Sequence, residues 1–132
     1  MPSAVTLRDG TRLMFAYGRM YNGTSLASFL FASDDEYGNS WRFRKSFEHV
    51  NGMPSAAGCM VNPSRSTPGP CGPCEPAMTL LPDGETLLAV FRMQSNQNLW
   101  QSTSLDGGYT WTPLVETLSW AVFPQLRTLR NG

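Results

Sequence analysis

The sequence predicts an all-β protein built from repeated units of four antiparallel strands, and three observations predict it. The first is Ser104-Leu105-Asp106-Gly107-Gly108-Tyr109-Thr110-Trp111. Its Asp-Gly-Gly core supplies the φ > 0 positions of a tight hairpin turn, between arms that are apolar or β-branched. The second is self-similarity: PSAVTLRDG at residues 2–10, PAMTLLPDG at 76–84 and PQLRTLRNG at 124–132 align without gaps. The third is a short apolar run directly after each of the first two copies, at 12–17 and at 86–91, each closed by a polar loop. Short apolar runs bounded by turn residues are strands.

The elements then come in order. Each copy opens with a strand ending in an Asp-Gly or Asn-Gly turn at Asp9-Gly10, Asp83-Gly84 or Asn131-Gly132. A second strand is expected at 12–17 and 86–91, then polar loops at 18–24 and 93–98, then third strands at 25–32 and 99–103. The second copy's third strand ends in the Asp106 turn. The first copy's ends in Ser33-Asp34-Asp35-Glu36-Tyr37-Gly38-Asn39-Ser40-Trp41, the same pattern with one extra residue between Asp35 and Gly38. Fourth strands are expected at 42–48 and 112–118, with Trp41 and Trp111 packed into the core. Four antiparallel strands recurring at 48 residues, from Pro76 to Pro124, indicate β-propeller blades. The expected division is a blade at 2–49, an inserted loop at 50–75 rich in Pro, Gly and Ser, a second blade at 76–123, and the first strand of a next blade at 124–132.

Composition bounds the partners. The 132 residues are 41% hydrophobic, enough for a core, and ten acidic side chains balance ten basic ones. That balance argues against a nucleic-acid backbone or an anionic membrane as the main partner. No apolar run approaches the roughly 18 residues of a membrane span, and no charged-then-apolar leader pattern opens the sequence. The compartment stays open.

Antiparallel order sorts residues by end. The two-strand turns and the Asp106 hairpin share one end of the sheets; the inserted loop, Glu75, Arg92, Arg19 and the polar loop from Gln94 to Asn98 share the other. Glu75 leads an inner strand and Arg92 ends its neighbour, so the two are expected within a few ångströms of one another.

The pattern Ser-x-Asp-x-Gly-x-Thr-Trp at 104–111 resembles the Asp box of the sialidase (neuraminidase) superfamily, a β-propeller family with BNR repeats. Glu75, the strand to Asp83-Gly84, the strand 87–91 and Arg92 resemble the Glu-strand-Asp-Gly-strand-Arg segment of its exo-sialidases. The likeness is strongest over residues 75–118. It implies two blades plus one strand of a six-bladed propeller and a glycoside hydrolase acting on terminal sialic acid or a related acidic sugar. In that family the glutamate assists a tyrosine nucleophile and the arginine grips the sugar carboxylate. Glu75 is therefore the candidate catalytic residue, assisting a tyrosine outside this chain, and Arg92 the substrate-binding residue. Chemistry supports each role: a guanidinium meets a carboxylate bidentately, and a carboxylate beside a phenol can take its proton. The family's Arg-Ile-Pro motif, its acid/base Asp in the 18–24 loop and its tyrosine are absent, so the chain alone is expected to be inactive. Its partners are then the remaining blades, or two further copies in a trimer. Two alternatives stand beside the hydrolase: a carbohydrate-binding propeller without catalysis, and a purely structural propeller segment.

No cofactor or metal is called for. Cys71-Gly72-Pro73-Cys74 spells a redox motif but lacks its strand-then-helix setting. His49, Cys59, Cys71 and Cys74 form an acceptable zinc set with one recognised spacing. A disulfide or free thiols bracing the inserted loop is the favoured reading. Arg19 is favoured as solvated surface, the amides Gln94, Asn96 and Asn98 as ordinary loop polarity, and Asn22-Gly23-Thr24 as a sequon by pattern only.

Overall fold

A computed structural model describes residues 4–19, 26–48, 72–93 and 98–129. The elements are β1 (Ala4–Thr6), β2 (Arg12–Arg19), β3 (Leu26–Ser33), β4 (Arg42–Phe47), β5 (Pro73–Leu80), β6 (Leu87–Met93), β7 (Trp100–Ser104) and β8 (Val115–Glu116). They form two four-stranded antiparallel sheets in simple up-and-down order, β1-β2-β3-β4 and β5-β6-β7-β8. There is no helix among the described residues. The all-β expectation and its division into units of four strands therefore hold.

The turns between the first two strands of each unit set the register. In the first, Leu7 N–H donates to Thr11 O, Gly10 N–H donates to Leu7 O, and Asp9 Oδ1 accepts the Thr11 N–H. In the second, Leu81 N–H donates to Thr86 O, Gly84 N–H donates to Leu81 O, and Asp83 Oδ1 accepts from Glu85 and Thr86. Thr11 thus corresponds to Thr86, and the second turn is one residue longer. Beyond the turns the two units are therefore offset by one position more than in their opening strands: Arg12 to Tyr17 correspond to Leu87 to Arg92. The same equivalence carries Ser33 onto Ser104, since Arg12 pairs with Ser33 and Leu87 with Ser104.

A shift of one residue in a strand moves every side chain to the opposite face, so this offset decides which faces of the two sheets are equivalent. Leu13, Phe15, Leu30 and Ala32 of the first sheet pack against Met78, Leu87, Ala89 and Phe91 of the second. The partners of Leu87, Ala89 and Phe91 in the first sheet are Arg12, Met14 and Ala16, on its other face. Opposite faces of equivalent sheets therefore meet, head to tail. At the centre, Phe91 is fully buried with its ring 5.6 Å from Phe15 and 4.7 Å from Phe47, and Trp111 closes the cluster 5.2 Å from Phe47.

The sequence-based expectations for Trp41 and three strands are revised. Trp41 is only partly buried: its indole N–H donates to Gly38 O at 2.8 Å, and it lies outside the core cluster that Trp111 joins. The fourth strand of the second unit shortens from 112–118 to Val115–Glu116, because Pro113 has no N–H for a ladder and Thr112 is tied by side chains, Ser102 Oγ donating to its carbonyl at 2.7 Å. Residues 124–129 pair with no strand among the described residues; instead Thr128 donates to Leu80 O and bonds Thr79 Oγ1 at 2.9 Å. That places the segment beside β5, as β5 lies beside β1. β5 begins at Pro73, within the stretch expected to be loop.

Both hairpin tips are tied by one aspartate. Asp106 accepts from the Tyr109 and Thr110 N–H groups at 2.9–3.0 Å and from the hydroxyls of Thr110 (2.6 Å) and Ser104 (2.9 Å). The Trp111 indole donates to Gly108 O at 2.9 Å. In the first unit Asp35 accepts from Tyr37 and Asn39, and Trp41 repeats the indole bond to Gly38, so the extra residue is absorbed inside the turn. Gly108 is held at φ 91° and its missing Cβ leaves room for Leu30, which one would approach to 2.8 Å.

Burial alone raises the Asp106 pKa, but the hydrogen bonds from Thr110, Ser104 and Tyr109 outweigh it and bring the carboxyl to about 2. A depressed folded-state pKa adds stability above the ordinary value of 3.8, and that stability is lost as pH falls through about 2. Asp106→Ala is expected to destabilise the chain by about 1 to 3 kcal/mol at neutral pH, nearer the lower figure because water reaches the carboxylate. Urea melts from pH 7 to pH 2 check it: the gap to wild type narrows below about pH 4.

Candidate functional site

The end of the sheets opposite the Asp106 turn carries a strained, mostly buried ion pair. Cys74 sits opposite Arg92 in the ladder, but the register shifts between Cys74 and Ala77, and the bulge contains Glu75 and Pro76. Pro76 has no N–H to continue the ladder, and the bulge re-aims the side chain before it. Glu75 therefore lies inside β5, where the sequence placed it ahead of the strand, and takes φ 45°.

Its carboxylate is held at both oxygens. Arg92 Nη1 donates to Oε1 at 2.5 Å, and the Phe123 N–H donates to Oε2 at 3.0 Å. The Glu75 side chain is 10% exposed and that of Arg92 21%. Phe123 has φ 49°, so the two non-glycine residues with positive φ among the described residues are joined by one hydrogen bond. Each such conformation costs on the order of 1–3 kcal/mol and persists where neighbours over-determine it, commonly at ligand sites.

The surrounding residues fix this end of the molecule. Ser28 Oγ, fully buried, donates to Pro73 O at 2.9 Å and ties the first sheet to the start of β5. Cys74 is a free, buried thiol whose Sγ donates to Arg92 O at 3.3 Å. Burial, reinforced by the Glu75 charge, pushes the Cys74 thiol up to about 11. The other members that the redox and zinc readings need, Cys71, Cys59 and His49, lie outside the described residues. For Cys74 the free thiol is the outcome. His49, Cys59, Cys71, Asn22-Gly23-Thr24, Gln94, Asn96 and Asn131-Gly132 lie outside the described residues, as do residues 50–71 of the inserted loop.

The expected neighbours Glu75 and Arg92 are brought together. Arg19 ends β2 at the same end, opposite Leu26 in the ladder. Asn98 Nδ2 donates to Glu116 at 3.3 Å, so that amide is engaged on the outer strand. Two features were missed from sequence. Tyr17, half-exposed, occupies in the first sheet the position that Arg92 occupies in the second, opposite the Ser28 that bonds Pro73. The signal for it is the turn hydrogen bonding, which an ungapped alignment hides. The other is the segment 117–123: Thr117 and Ser119 are tied to the Leu99 backbone at 2.8 and 2.7 Å, and Phe123 to Glu75, so it crosses this end from β7 to β5.

An open cleft of about 480 Å³ lies at the opposite end, between the turns of the two sheets. Its cations are engaged in fastening those turns. Arg44 donates to Gly107 O at 2.5 Å and lies 4.1 Å from the Tyr109 ring centre, Arg8 donates to Asp83 O at 2.7 Å, and Arg42 pairs with Asp34. These contacts make this end a clasp, while at the other end Arg92 is held by Glu75. No described helix is long and apolar enough to cross a membrane, and no group of metal-ligating side chains occurs among the described residues. Neither a protein-family model nor a curated protein matches this chain.

Proposed function

We propose that the chain is part of a sialidase-like β-propeller whose Glu75–Arg92 end receives the carboxylate of terminal sialic acid or a related acidic sugar. The observation that carries this reading is the ion pair in its strained bulge, with Arg92 held by a glutamate whose backbone is bent to reach it. A guanidinium has five N–H donors, more than one carboxylate can take, so an arginine fixed in this way suits a second, incoming carboxylate. The head-to-tail stacking of equivalent sheets supports the propeller part, because propeller blades repeat one face-to-face contact around an axis. Residues 124–129 support it too, since Thr128 fastens them beside the end of β5 at Thr79 and Leu80.

In the complete catalytic set Arg92 holds the sugar carboxylate, and Glu75 draws the proton of a nucleophilic phenol. Both Glu75 oxygens are already engaged here, by Arg92 and by the Phe123 N–H. That favours a second reading, carbohydrate binding without hydrolysis, in which Glu75 only positions Arg92.

Calorimetric titration separates charge recognition from general sugar affinity. N-acetylneuraminic acid is expected to bind at least tenfold more tightly than its methyl ester, the loss of a charge-assisted hydrogen bond being worth about 1.5–3 kcal/mol. Arg92→Gln removes that preference. Equal binding of acid and ester by the wild type sinks the reading.

A further inference from the structure

Resting on that reading, we infer that residues 118–123 form an apolar wall of the same site, and that Phe123 selects for an acid whose carboxylate is carried on a ring with an apolar face. The amide nitrogen of Phe123 is 3.0 Å from Glu75 Oε2, and Cβ is two bonds from that nitrogen. The phenyl group therefore starts beside the ion pair. It is 69% exposed, and Trp120, at 56%, and Val122 are exposed on the same crossing segment. Exposed apolar groups on a segment whose backbone is fastened to the carboxylate that holds Arg92 offer a stacking face next to a charged group.

The backbone argues the same way. A non-glycine residue at φ 49° is a strained choice for a connection that has only to turn, and Phe gains nothing from burial there. Glycine would hold the turn without strain. The aromatic side chain at this point is then explained by contact with a ligand. A small anion such as acetate satisfies Arg92 alone; a pyranose acid satisfies Arg92 and lays its C–H face against Phe123.

Phe123→Gly provides the test, since glycine accepts the φ and leaves the N–H to Glu75 in place. Wild type, Phe123→Gly and Arg92→Gln chains, labelled with ¹⁵N, are titrated with N-acetylneuraminic acid and with acetate. Wild type is expected to bind the sugar acid at least tenfold more tightly than acetate. Phe123→Gly, with its spectrum otherwise unchanged, loses about tenfold for the sugar acid and nothing for acetate, whereas Arg92→Gln loses both. Unchanged sugar-acid affinity in Phe123→Gly overturns the wall and leaves the carboxylate reading standing. Absence of any response of the wild type to either anion overturns both.

Discussion

Phe91→Ala is expected to cost about 3–5 kcal/mol, the range for truncating a fully buried aromatic ring. Phe91 has no exposed surface and reaches from the second sheet to two aromatic rings of the first, Phe15 edge-on at 5.6 Å and Phe47 at 4.7 Å. Its loss opens a void where the two sheets meet, and the residues around it, Leu13, Leu30 and Leu87, are anchored in ladders that cannot close over it. The sheets themselves retain their backbone pairing. Thermal and urea melts would therefore show a midpoint far below wild type, or no cooperative transition, with a β-type circular dichroism spectrum persisting in cold buffer. A loss under about 1 kcal/mol, the scale of an ordinary surface substitution, would mean that the sheets do not pack through this residue.

Gly72→Ala is expected to be as damaging for a steric reason. A Cβ at Gly72 would lie 1.8 Å from the Leu26 carbonyl oxygen and 2.8 Å from its carbon. Those atoms are backbone, so neither can rotate away, and the start of β5 must move off β3 by more than an ångström. The Ser28–Pro73 bond and the Cys74–Arg92 pairing depend directly on that placement. A loss of at least about 3 kcal/mol is the expected result, together with weakened binding at Arg92 because the bulge that aims Glu75 is displaced. A variant with wild-type stability would show that the two sheets stand further apart at this end.

The strands were legible in the sequence because their signals are local. Asp9-Gly10 and Asp83-Gly84 write their own turns, and the hydroxyls around Asp106 write the hairpin tip. The register was not legible, since the one-residue difference between the two turns lies in which carbonyl Leu7 and Leu81 reach, and an ungapped alignment of similar residues conceals it. With the extra residue counted, Leu13 corresponds to Leu88 and not to Leu87. The neighbourhood of Glu75 and Arg92 was legible from antiparallel order alone. The bulge that puts Glu75 inside β5 was not, because it needs the contact between Gly72 and Leu26 to fix where the strand begins. Phe123 was invisible for the same reason: 48 residues separate it from Glu75, and only the crossing segment brings it there.

The binding claim comes down to whether an acidic sugar lands on Arg92. The most direct measurement follows the Arg92 side-chain N–H resonances of the ¹⁵N-labelled chain during titration with N-acetylneuraminic acid. The account predicts that these signals and the Phe123 amide shift together and saturate, while the Tyr109 and Gly107 amides at the opposite end stay still. Movement confined to the cleft around Arg44 and Tyr109, with Arg92 unperturbed, would contradict it.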